Sequence, residues 1–145
     1  MAGVLPRAAY VPFCADAAGF DPAVQLAEAF LREVGAGVDM IVIAPQICAV
    51  SCSTLLKQYV QNRVVLTPRN SNQSHIGYGR PALVYLPALK ELELAMRYTR
   101  GDPVAVVEHP VYSCARWADE IGAVNLVEHR IHATQRSMQH QKLLE

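Results

Sequence analysis

"ALVYLPALKELELAMRYTRGDPVAVV", residues 82–107, reads as one strand–helix–strand unit. An apolar run, Ala82–Leu86, stops at Pro87. Leu89, Leu92, Ala95 and Met96 then recur at the spacing of one helix face. Gly101 stands where helices commonly end in a left-handed residue, and a second run, Val104–Glu108, follows. Runs that are apolar nearly throughout, rather than alternating, belong to strands covered on both faces, as in parallel sheets.

Working outward, the same phrase repeats. Further β-rich runs are Ala9–Phe13, Met40–Ala44, Val64–Thr67 and a weaker Ala123–Glu128. Between the first two, Asp21 is placed to cap a helix with Pro22 at its first position. Val24, Ala27, Phe30, Leu31 and Val34 form its apolar stripe, which Gly35 or Gly37 ends. A second helix lies within Gln46–Gln61, with Leu55, Leu56, Tyr59 and Val60 on its apolar side. A fourth follows Ser113 as N-cap, carries Trp117 and Ile121 one turn apart, and stops at Gly122. Strands alternating with helices mean βαβ units. The expectation is a three-layer (αβα) sheet of five to six mostly parallel strands, Rossmann-like or flavodoxin-like in order. It forms a single domain over residues 1–128, and residues 129–145 are a marginal C-terminal helix or tail with a thin apolar stripe.

Composition narrows the function classes. Of 145 residues, 52% are hydrophobic and 18% charged, below the ~25% usual for soluble domains. A chain this apolar has few solvated faces, and a homodimer contact is one way to cover the surplus. Lys plus Arg and Asp plus Glu balance at 13 each, so no field of one sign favours nucleic acid or an anionic membrane. The longest apolar stretch, Met40–Pro45, falls far short of the ~20 residues of a membrane span. The N-terminal stretch has no charged segment leading into a continuous apolar one. Cytoplasmic location is therefore the expectation, with Cys14, Cys48, Cys52 and Cys114 as reduced thiols.

In an open parallel sheet, ligands bind outside the carboxyl ends of the strands. Strand direction then gathers Cys14, Asp16, Cys48, Arg69, Asn70, Asn72, His109 and Cys114 along one edge. Two stretches stand out. The connection "PRNSNQSHIGYGRP", residues 68–81, is rich in amides. Arg69, Asn70, Asn72, Gly77, Gly79 and Arg80 are its candidates for gripping a phosphate or carboxylate; a solvated connection with Gly at its turns is the plainer reading. In "VVEHPVYSC", residues 106–114, Cys114 stands at a helix start, where the macrodipole favours thiolate. His109 would be its base, and Cys14 is the alternative nucleophile. Buried cysteines more often simply pack helix to sheet. His129 and His132, with the thiols and His109, match no recognised zinc or iron–sulfur pattern, so no metal or other cofactor is expected. No G-x-x-x-x-G-K-[ST] occurs, and no G-x-G-x-x-G follows the first strand.

Residues 80–98, "RPALVYLPALKELELAMRY", resemble the opening strand and helix of the second RecA-like domain of helicases, a pattern common to many α/β domains. The arginine-bearing motif such helicases need is absent, as is any Walker sequence, and their activity is not carried over. The sequence thus supports a module that binds a small anionic ligand or a protein partner at the carboxyl edge, non-catalytic or regulatory. The alternative is a group-transfer or hydrolytic enzyme built on Cys114 or Cys14 with His109.

Overall fold

The structure is a computed structural model and describes residues 7–13, 19–34, 40–46, 49–50, 53–61, 65–69, 79–100 and 103–127. Among these residues the chain forms six strands and four helices: β1 Ala8–Val11, α1 Asp21–Val34, β2 Ile41–Ile43, α2 Thr54–Tyr59, β3 Val65–Leu66, β4 Ala82–Tyr85, α3 Leu89–Thr99, β5 Val104–Val107, α4 Ala115–Ile121 and β6 Val124–Asn125. The six strands make one sheet in the order β3-β2-β4-β5-β1-β6, and every pairing is parallel. This is the expected three-layer α/β fold. Its order is the Rossmann order 3-2-1-4-5-6 with β1 moved to stand between β5 and β6.

The apolar runs divide cleanly between the two faces, because successive side chains of a strand point to opposite sides. Val11, Val42, Leu83, Tyr85, Ala105 and Val107 join Val24, Ala27, Phe30 and Leu31 of α1 and Leu56 of α2 in one core. Ile41, Ile43, Leu66, Val84, Val104 and Val106 join Leu92, Leu94, Ala95 and Tyr98 of α3 in the other, with Cys114 beneath α4. Each fully buried Val or Leu contributes about 1.5–3 kcal/mol of transfer free energy, which is why both faces need helices. Trp117 packs, partly buried, at the margin of the second core, whereas Ile121, one turn on, is exposed.

Crossing direction follows from the same division. The connections through α1 and α2 carry the chain one way along the sheet, over the first face. Those through α3 and α4 carry it the other way, over the second. Reversing direction while changing face keeps one handedness in the four crossovers that carry these helices. β1 and β5, side by side in register from Ala8↔Val104 to Val11↔Val107, therefore send their exits to opposite faces. That divergence opens a crevice at the carboxyl edge, the topological switch point where such folds bind ligands.

The helix ends depart from expectation in two instructive places. Asp21 is the first residue of α1, and its carboxylate reaches instead to α2, accepting from the Ser53 hydroxyl at 2.5 Å and the Leu55 amide at 3.3 Å. Ser53 is the N-cap of α2 and accepts from the Leu56 amide. The Ser53 hydroxyl above all, against some burial, holds the Asp21 carboxyl below its usual range. Cys114 rather than Ser113 is the N-cap of α4, with the Ser113 hydroxyl accepting from the Ala115 amide at 3.1 Å. Gly122 stops α4 at φ 74°, as expected of a left-handed C-cap. Residues 128–145, and with them the expected tail, lie outside the described residues.

Candidate functional site at the carboxyl edge

Glu108 is the first residue past β5, and its amide continues the parallel ladder by donating to the Val11 carbonyl at 3.0 Å. This leaves its side chain at the crevice. One carboxylate oxygen, Oε1, accepts from the Phe13 amide at 3.0 Å. The other, Oε2, accepts from the Cys114 amide at 3.0 Å and from the Cys114 thiol at 3.3 Å. One side chain thus ties together the exit of β1, the exit of β5 and the start of α4. Burial alone would raise its carboxyl pKa. The donors from Phe13 and Cys114, with the Ser113 hydroxyl, outweigh it and bring the pKa below its ordinary value. Glu108 is therefore an ionised carboxylate at neutral pH.

The same contacts decide the state of Cys114. Its thiol is buried. Burial first, then donation to Glu108 and the nearby negative charge, push its pKa up to about 12. A helix start was expected to lower it. The dipole of a seven-residue helix does not overcome a carboxylate in hydrogen-bond contact. His109 is engaged elsewhere: its Nδ1 accepts from the Val111 amide at 2.9 Å and the Tyr112 amide at 3.3 Å. Its ring lies 4.7 Å from that of Tyr112. Imidazole and thiol thus each have their own partners, and His109 fastens the turn Pro110–Tyr112. Cys14 lies outside the described residues.

Beside Glu108 lies a cavity of about 300 Å³, between the amino end of α1 and the exits of β1, β5 and β6. Val11, Pro12 and Phe13 wall it from β1, and Phe20, Ala23 and Leu26 from α1 and the turn before it. Val107 and Val127 complete the apolar lining, and Glu108 is the charged group among the described lining residues. Phe13 and Phe20 stand with ring centroids 6.4 Å apart, and Phe20 meets Tyr85 edge-on at 5.8 Å. Gly19, at φ 80°, turns the chain into α1 at the cavity wall. Phe13 and Val127, which line the cavity, are exposed, as are Val111 and Tyr112 in the turn after β5.

The amide-rich connection is placed differently. Arg69 is exposed just beyond the carboxyl end of β3, the edge strand on the far side of β2. Gly79 donates to the Tyr98 carbonyl at 2.8 Å, near the carboxy-terminal end of α3, so Gly79 and Arg80 belong to the amino edge where β4 begins. A connection between two parallel strands must return from exit to entry, and the sheet alone is about 13 Å tall at ~3.3 Å per residue. The structure therefore separates Arg69 from Arg80, and both from the cavity. Asn70, Asn72 and Gly77 lie outside the described residues. Among the described residues no three His, Cys, Asp or Glu side chains cluster so as to hold a metal ion, and no helix is long and apolar enough to cross a membrane.

Reading the sequence missed Glu108, Phe20, Ala23 and Leu26. Glu108 had a signal, a lone carboxylate terminating an apolar strand. The α1 residues had none, because the stripe that lines a cavity has the same period as one that fills a core. No protein-family model, curated protein or solved structure matches the chain.

Proposed function

We propose that this chain is a small-molecule-binding α/β module whose site is the cavity at the switch point between β1 and β5. The observation that carries this reading is the coincidence of three features at one place. The cavity lies at the diverging strand exits, its described walls are apolar and aromatic, and among the described residues one fixed charged group lines it. Small-molecule sites share that build, and ~300–1,000 Å³ is their usual size. Arg69 and Arg80 support no joint anion grip, since the sheet stands between them. The group-transfer alternative draws no support from Cys114, whose thiol is kept protonated by burial first and by its contact with Glu108 second.

The test uses melting shifts with a panel of aromatic fragments on the wild-type chain and on Ala23→Leu. Leucine is a good helix former and fills the cavity from its α1 wall. A fragment at a hundredfold excess over its Kd raises stability by about 2.7 kcal/mol. Shifts in the wild type that vanish in Ala23→Leu support the reading. Shifts of equal size in both place binding elsewhere and refute it.

A further inference from the structure

We infer that the ligand of this cavity is an organic cation: an ammonium group carried on an apolar or aromatic body and seated against Glu108. The inference rests on the cavity being the binding site and concerns the charge class of what enters it. Glu108 is held by dipoles, not by a counter-charge. Its described partners are two backbone amides, a thiol and a hydroxyl, and no Lys or Arg pairs with it among the described residues. A ligand that fills the cavity strips water from this carboxylate. A neutral ligand leaves the desolvated charge uncompensated, and an anion adds repulsion. A cation restores what was lost.

The walls suit the same ligand. Phe13 and Phe20 line the cavity together with Glu108, and aromatic rings attract cations through their quadrupole. Among the described residues the amino end of α1 is an opposing feature, since a helix start attracts anions. Here Pro22 brings no amide hydrogen to that end, and Asp21 places a carboxylate in the first turn.

Three probes of similar shape separate the classes: phenethylamine, 2-phenylethanol and phenylacetate, titrated calorimetrically at pH 7. The expected order is phenethylamine tightest, by about tenfold or more over the alcohol, with phenylacetate weakest. Glu108→Gln should weaken phenethylamine by about tenfold and leave the alcohol within about threefold. Ala23→Leu, which keeps the Glu108 contacts, should abolish binding of phenethylamine, and it carries the test if the glutamine variant does not fold. Equal or tighter binding of the alcohol or phenylacetate by the wild type overturns the cation assignment while the site stands. Phenethylamine binding that survives Ala23→Leu overturns it as well. No binding of any probe overturns both the assignment and the reading of the cavity as a site for ligands of this size.

Discussion

Two connections at the sheet ends looked comparable as sequence: "EHPVYSC", which leaves β5, and "PRNSNQSHIGYGRP", which joins β3 to β4. The second is longer, more polar and carries two arginines. Yet the first builds the tightly bonded corner. The difference is topological. β5 lies next to β1, so Glu108 meets the Phe13 amide from 95 residues away. β3 is an edge strand, and its connection has Arg69 at the carboxyl edge and Arg80 at the amino edge. Polar composition marks where a chain can bind something. Adjacency of strand exits decides whether its groups converge.

The sharpest way to break this comparison is to remove the hub. Glu108→Ala should cost about 2–4 kcal/mol, because it leaves two amides and a thiol without their charged acceptor. Urea unfolding measures it. A loss below about 0.5 kcal/mol, the scale of an ordinary surface change, would erase the distinction between the two connections.

Next in size is thiol reactivity. With its pKa near 12, Cys114 should alkylate at least about a hundredfold more slowly than a model thiol at pH 8. Peptide mapping after timed labelling isolates it from the chain's other cysteines. Reaction at the model rate or faster would reinstate the nucleophile.

The pair also shapes stability at both ends of the pH scale. Glu108 has a lowered folded pKa, so its contribution is present above the unfolded value near 4.5 and is lost as pH falls through the folded one. Cys114 has a raised folded pKa, so its contribution is intact below about 9.0 and is lost as pH rises towards about 12. Melting temperature against pH should fall on both sides. Glu108→Gln should flatten the acid limb and Cys114→Ala the alkaline one; unchanged limbs would show that other groups govern them.

The smallest effect is expected in the other connection. Arg69→Ala, at an exposed turn, should change stability by less than about 0.5 kcal/mol and leave the cavity's ligand affinity unchanged. A loss of affinity would tie β3's exit to the site despite its place in the sheet.

Much of the fold was legible in residue order. The runs around Ala9, Val42, Leu83 and Val106 are strands within a few residues of their expected limits, and α1 and α3 fill the intervals their apolar stripes marked. Such periodicities are local and need only a few residues to register. The site was legible only as an edge. "VVEHPVYSC" marks a strand exit and a helix start, but the contacts of Glu108 depend on neighbours that no local stretch specifies. Asp21 shows the same limit: its type is that of a cap, and only packing reveals that it bonds to the start of α2.

Residue order is enough to specify the kind of layers: strands buried on both faces, helices with one apolar stripe, and parallel crossovers, all consequences of burying apolar side chains at a fixed spacing. Which exits became neighbours, and with that which charge and rings share a cavity, was settled by the folded chain as a whole. Strand order is set by long-range pairing among segments of nearly equal hydrophobicity, so no local stretch encodes it. The ionisation of Glu108 and Cys114 follows from that order, because a group's pKa answers to whatever stands within a few ångströms of it.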